Sequence, residues 1–285
     1  MFHARREFED EVVRMPDADW VKYKRLRGKD LPELVLLSFG LYRSEKVFKN
    51  DFYAVTAGYR RESGDGPERV VLKEYHIDSW GPIPLGWLGR MLLRRESLYY
   101  RELADVPGVP QFIEHFGVNG FVREHIPGLD LRDHFEKVGK RVDPAFFPTL
   151  QETLRAVHEK GVAHNDLAKP ENILVSSNGA PVLIDFQIAM MPKRWFLGVG
   201  RLAGPLLRLC QRMDEYHLCK QYRRYSPDTV PDDIRIKGTR SGGVAGFHYH
   251  VIRRPYRAVR HFFLNRFLTL KPTRENTAEP TRKAA

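Results

Sequence analysis

Between residues 33 and 77, β-branched and aromatic residues alternate with polar ones in short runs broken by turn formers. "VFKNDFYAVTAGYR" and "ERVVLKEY" flank "RESGDGP", a pattern that predicts two antiparallel strands joined by a loop. The period then changes. "LGRMLLRRESLYYRELADV" (89–106) predicts a helix that stops before "PGVP". "FIEHFGVNGFVREHIPG" predicts two strands around Val118-Asn119-Gly120, with the chain leaving at Pro127-Gly128. In "PAFFPTLQETLRAVHEKG" (144–161), Phe147, Leu150, Leu154 and Val157 fall on one helical face and Gly161 is the stop. "NGAPVLIDFQIAM" predicts a turn and a buried strand, Val182 to Ile184, ending at Asp185. Residues 191–270 are mostly helical in pattern, 1–32 predict a charged, helical N-terminal extension, and 271–285 a polar disordered tail.

A β-rich part with one helix is thus followed by a helical part with two short strand–loop units. The expected fold class is α+β, with two lobes and a ligand cleft between them. At 285 residues, 42% apolar and 29% charged, the chain is long enough for such an arrangement. Two cysteines, Cys210 and Cys219, exclude a disulfide framework and a cysteine zinc site. No apolar leader and no membrane-length apolar run occur, so the expected location is cytoplasmic. Net charge is +11, unevenly placed: residues 1–190 carry −2 and residues 191–285 carry +13. A polyanionic partner for the last third is expected, namely a membrane surface or phosphorylated lipid. With no groove-reading helix or stacking platform in the pattern, nucleic acid is not expected. "RRPYRAVRHFFLNRFLTL" (253–270) sets Tyr256, Val259, Phe263 and Phe267 on one helical side and Arg253, Arg257 and Arg260 on another. That suits peripheral contact with an anionic membrane. Packing of the aromatic stripe on the helical lobe is the alternative.

The densest chemistry lies in "GVAHNDLAKPENILV" (161–175). Asp166 sits in a loop, Asn172 opens a strand, and Asp185 ends the next strand. If the strands pair, these three bring hard oxygen donors together, a set that suits Mg²⁺ rather than zinc. Upstream, Lys73 ends the strand "VVLK" among apolar neighbours and must find an anion. Glu96 is the carboxylate candidate, Glu102 its rival, and an ordinary surface ion pair the plainer outcome. Asp214 either braces the loop or merely lies on a helix face. His164 is expected to hold the loop from the core.

With "VVLK", "RRES", "HND" at 164–166, Asn172 and "DFQ" at 185–187 in this order, the chain resembles the protein-kinase-like superfamily across roughly residues 40–190. The resemblance implies a bilobal kinase-like fold, with an N-lobe over 33–125 and a C-lobe over 126–270, and an ATP- and Mg²⁺-dependent phosphotransferase activity. By the same resemblance Asp166 accepts the proton of the attacking hydroxyl and Lys169 faces the transferred phosphoryl group. Lys73, paired by Glu96, holds the nucleotide phosphates, Asn172 and Asp185 bind Mg²⁺, and the backbone of Glu124 to Ile126 receives adenine.

Four departures from the protein-kinase pattern stand out. Asn165 replaces the Arg of H-R-D, and Gln187 the Gly of D-F-G. Ala168 lengthens the loop by one residue. No glycine-rich loop exists, leaving Lys46 and Lys49 as further phosphate candidates. These features resemble both the small bacterial lipopolysaccharide core kinases and the RIO-like kinases; the basic C-terminal third makes the first resemblance the closer one, which implies a sugar hydroxyl of a membrane glycolipid as acceptor. A RIO-like serine/threonine kinase is the alternative, and a catalytically dead scaffold the second.

Overall fold

The computed structural model describes residues 30–50, 54–76, 79–80, 83–84, 86–139, 141–191, 200–232 and 234, all within residues 1–235, one of the two units into which the chain divides. The expected extension (apart from Asp30 to Pro32), the 253–270 helix and the tail lie outside the described residues.

A six-stranded antiparallel sheet has the order β1 (Leu34–Leu37), β2 (Gly40–Asn50), β3 (Ala54–Gly64), β4 (Arg69–Tyr75), β8 (Gly120–Glu124), β7 (Phe112–Phe116). Between β4 and β8 the chain forms a two-stranded hairpin, β5 (Ser79–Trp80) with β6 (Ile83–Pro84), and helix α1 (Gly86–Glu102). One face of the large sheet is apolar: Val55, Ala57, Tyr59, Val70, Leu72 and Val122 pack there with Leu31, Val35, Leu37 and Tyr42. Strand alternation turns Thr56, Gly58, Val71 and Lys73 to the opposite face. "VVLK" therefore delivers its lysine to the side away from that cluster.

The helical part begins with α2 (Leu131–Asp133), capped by the Asp130 carboxylate on Asp133 N at 2.8 Å, and runs into a π-turn, His134–Val138. Helix α3 (Phe146–Glu159) buries Phe146, Phe147, Leu150, Thr153, Leu154 and Val157, the face expected from its period. Gly161 follows at φ 75°, a left-handed stop. A second sheet, β11–β10–β9, joins β10 (Ile173–Ser176) to β11 (Pro181–Leu183) and to β9 (Gly128–Asp130). Helix α4 (Gly200–Tyr225) packs against α3, with the Tyr222 ring stacked on Phe147 at 4.4 Å. Its aromatic and aliphatic residues join α1, α3, β10 and β11 in one core that also holds Phe121, Tyr75 and Ala54. Among the described residues no helix is long and apolar enough to cross a membrane.

Three expectations change. "VFKNDFYAVTAGYR" holds two strands, β2 and β3, paired antiparallel with Lys49 opposite Thr56 and Asn50 opposite Val55. The chain leaves the large sheet at Pro127-Gly128 as expected, and the strand expected over Val182 to Ile184 runs instead from Pro181 to Leu183. Helix α1 starts at Gly86 and ends at Glu102, because Leu103 to Val109 close into successive turns. The result is a mixed α/β protein whose curled antiparallel sheet is compatible with the smaller lobe of a kinase.

Candidate functional site

Lys73 is buried. Its Nζ lies 2.8 Å from Glu96 Oε2 and 2.8 Å from Asp185 Oδ1. Strand β4, helix α1 and the end of the β11 segment thus meet at one ammonium group. Glu96 makes this contact, and Glu102 stays at the half-buried end of α1. Tyr75, two residues beyond Lys73 on the same strand face, donates its hydroxyl to Glu96 Oε2 in a short hydrogen bond. Lys73 Nζ also donates to Oε1 at 3.0 Å, so both Glu96 oxygens are engaged by groups from β4.

Burial is the largest influence on Lys73 and acts to lower its pKa, but Asp185 and Glu96 together outweigh it and hold the group well above the ordinary lysine value. Burial likewise pushes Asp185 up, and Lys73 with Lys49 more than reverses this, leaving the carboxyl well below the usual range. The consequences for stability have definite signs. Asp185, with its depressed pKa, contributes stability above its unfolded value of about 3.9 and loses it as pH falls through the folded value. Lys73, with its raised pKa, contributes below about 10.4 and loses it as pH rises through the folded value. Lys73→Met leaves the buried Glu96 carboxylate without its cation and Asp185 with the half-exposed Lys49, 3.7 Å away, a loss of about 3–5 kcal/mol near pH 8. With the ammonium of Lys73 gone, burial, the largest influence on Asp185, pushes its carboxyl up, so the variant is expected to gain stability from pH 8 to pH 5. Urea unfolding at the two pH values measures this; equal stabilities would show that the charges are not coupled.

The loop that carries Asp166 is fixed from beneath. Asp214, fully buried on α4, accepts from His164 N at 2.7 Å and Asn165 N at 2.8 Å, and its Oδ2 lies 3.2 Å from His158 Nε2. Asp214 is thus a brace and not a residue on an open helix face. Asn165 sits at φ 64°, a left-handed conformation that asparagine tolerates better than arginine. His164 is fully buried; Nδ1 lies 3.3 Å from the Asp166 N–H and Nε2 lies 2.9 Å from Ile184 O. Accepting at one nitrogen and donating at the other requires the neutral Nε2–H tautomer. His164 therefore ties the Asp166 loop to Ile184, between the end of β11 and Asp185.

Asp166 points its carboxylate at Lys169, with Oδ2 2.6 Å from Nζ. The added residue is absorbed: Gln221 Nε2 donates to Leu167 O at 3.1 Å and Ala168 O at 3.0 Å, and Lys169 keeps its contact with Asp166. Asn172 donates Nδ2 to Asp166 O at 3.0 Å, and its carbonyl accepts from Ile184 N at 3.0 Å. Asp185 follows at φ 65°, its N–H held by the buried Tyr100 hydroxyl at 3.1 Å. Burial, above all, pushes that phenol up to about 12, so it stays protonated. Gln187 is not in a positive-φ conformation, so the position that D-F-G fills with glycine needs none here.

At the other end, Glu124 N–H donates to Gln111 O at 2.8 Å and its carbonyl accepts Arg123 Nη1 at 3.0 Å. What Glu124 retains for a ligand is the second lone pair of that carbonyl. His125 and Ile126 follow, half-buried. Lys49 Nζ lies 3.7 Å from Asp185 Oδ2, whereas Lys46 Nζ lies 5.8 Å from the Phe48 ring centre. Tyr75, Tyr100, Gln221 and His158 were not singled out in the sequence. Spacing held a signal for two: Tyr75 is two strand residues past Lys73, and Tyr100 four helical residues past Glu96.

No protein-family model matches the chain. Segments of it align with curated proteins. The maternal embryonic leucine zipper kinase of Danio rerio is 35% identical over 92 residues, 31% of this chain and 13% of that protein. Serine/threonine-protein kinase chk1 of Schizosaccharomyces pombe is 45% identical over 73 residues, 25% and 14%. Serine/threonine-protein kinase C of Synechocystis is 30% identical over 128 residues, 42% and 22%. These relatives are protein kinases. The similarity supports the protein-kinase-like superfamily at low identity, and the chain spans 13% to 22% of the length of these three relatives.

Among the described residues no three His, Cys, Asp or Glu side chains gather into a metal cage. A site of one carboxylate, Asp185, and one amide oxygen, Asn172 Oδ1, fits Mg²⁺, which completes its shell with water and substrate phosphates. The amide nitrogen of Asn172 is already spent on Asp166 O, which leaves Oδ1 as its donor to a cation.

Proposed function

We propose that the chain is an ATP- and Mg²⁺-dependent phosphotransferase with a bilobal kinase-like fold, transferring a phosphoryl group to an alcohol. The observation that carries this is the bridging of Lys73 by Glu96 and Asp185, with the Asp166–Lys169 pair tied to the same strand end through His164. Lys73 offers a permanent positive charge to nucleotide phosphates, and Glu96 with Tyr75 orients it. Asn172 and Asp185 would hold Mg²⁺, which would supply positive charge to neutralise the phosphates. Asp166 accepts the proton of the attacking hydroxyl, and Lys169 neutralises charge on the transferred group. Little covalent chemistry is asked of the protein; positioning and electrostatics supply the rate. The carbonyl of Glu124 and the backbone of Ile126 would receive the base.

Two acceptors have support of different kinds. The similarity to serine/threonine-protein kinases favours a serine or threonine hydroxyl on a protein. The +13 charge of residues 191–285 favours a sugar hydroxyl of an anionic membrane glycolipid, with the protein held peripherally on the membrane. Incubation with γ-labelled ATP and Mg²⁺ alongside a lipopolysaccharide core glycolipid and a generic basic protein separates them by which product carries label. Label in neither acceptor, with no ATP consumed, would leave a scaffold that keeps the fold without the activity.

A further inference from the structure

Strand β2 carries a bulge that decides which of its side chains faces Lys73. Val47 pairs with Ala57, but Lys49 pairs with Thr56, so two steps on β2 match one on β3. Without the extra residue, Phe48 would stand opposite Thr56. With it, Lys49, Thr56 and Lys73 form one row across three strands, and cross-strand partners share a face. The two lysines therefore project to the same side of the sheet. They grip the two oxygens of one carboxylate: Lys73 at Asp185 Oδ1, 2.8 Å, and Lys49 at Oδ2, 3.7 Å.

The bulged residue, Phe48, lies over the neighbouring row. A Cβ on Gly58 would stand 3.0 Å from Phe48 Cζ, so glycine at 58 is what lets the ring settle on β3. On its far side the ring stacks with His125, centroids 6.3 Å apart and 23° from parallel. His125 belongs to the segment after β8, and Asp185 to the segment after β11. One strand thus spans the distance between them, with an aromatic cover at the His125 end and an ammonium group at the Asp185 end. Lys46 is in the Gly58 row, one step further from Asp185.

We propose that Lys49 is a second phosphate-binding cation, and that β2 with its bulge performs through Phe48 and Lys49 the covering role for which the chain has no glycine-rich loop. The assignment rests on the nucleotide-binding reading above. Lys49 is half exposed, so its side chain can follow a phosphate group entering beside Asp185. A charge-assisted contact of this kind corresponds to roughly ten- to a hundredfold in affinity.

The test is a calorimetric titration of the 285-residue chain with ATP, ADP and adenosine, each with Mg²⁺. Lys49→Met is expected to weaken ATP and ADP at least about tenfold and to leave adenosine within about twofold. Phe48→Ala is expected to weaken all three alike, since its contact is with the end of the ligand they share. If Lys49→Met binds ATP like the parent while Lys73→Met loses it, the role of Lys49 is wrong and the reading of the site survives. If the parent chain binds none of the three, both fall together.

Discussion

Asp166→Asn is expected to bind ATP with Mg²⁺ as the parent does and to transfer phosphoryl groups about 10²–10⁴-fold more slowly. The reasoning is local. The side chain is not part of the Lys73–Glu96–Asp185 cluster, and its oxygen faces Lys169 Nζ at 2.6 Å. The amide keeps the shape, so Asn172 still reaches the Asp166 carbonyl and His164 the Asp166 N–H. What disappears is the charge that takes a proton and pairs Lys169. Binding by calorimetry and turnover by single-turnover kinetics read the two effects separately. Unchanged turnover would move the proton acceptor elsewhere. Weakened binding would mean that Asp166 shapes the nucleotide site instead.

The second large effect is expected at a residue that touches no substrate. Asp214→Ala removes the acceptor of two buried main-chain N–H groups, at His164 and Asn165, and the partner of His158. Each buried donor left without a partner costs about 1–3 kcal/mol, so a loss of about 3–5 kcal/mol is expected. That is a large share of the 5–15 kcal/mol typical of a folded domain. Asn165, held at φ 64°, is then free to relax towards negative φ, and the Asp166 loop moves with it. Chemical denaturation measures the loss. A cost below about 1 kcal/mol would show that water replaces the carboxylate and that the loop holds its own shape.

Much of this was legible in the chain because it depends on order and period. The Phe147–Val157 stripe gives the buried face of α3 directly. Lys73, Glu96, Asp166, Asn172 and Asp185 stand in an order that only pairing of β10 with β11 and packing of α1 on β4 had to bring together. What stayed hidden depends on partners distant in sequence. Tyr75 and Tyr100 look like core aromatics until their hydroxyls meet Glu96 and the Asp185 N–H. Gln221 looks like a polar residue on a basic helix until it takes the carbonyls of Leu167 and Ala168. The Val47–Lys49 bulge leaves no trace in composition, yet it moves Lys49 into the row of Lys73. The division of "VFKNDFYAVTAGYR" into two strands is hidden because both are rich in β-formers. The basic stretch from 235 onward lies outside the described residues, so the membrane reading of 253–270 rests on its pattern.

The central claim is that Lys73, Asp166, Asn172 and Asp185 form a working Mg²⁺-dependent phosphotransfer site. Release of product from γ-labelled ATP, with Mg²⁺ and with EDTA, tests it most directly when the parent chain is compared with Asp185→Ala. The account predicts turnover by the parent with Mg²⁺ only, and none above background by Asp185→Ala. Equal turnover by the two proteins, or turnover unaffected by EDTA, would contradict it.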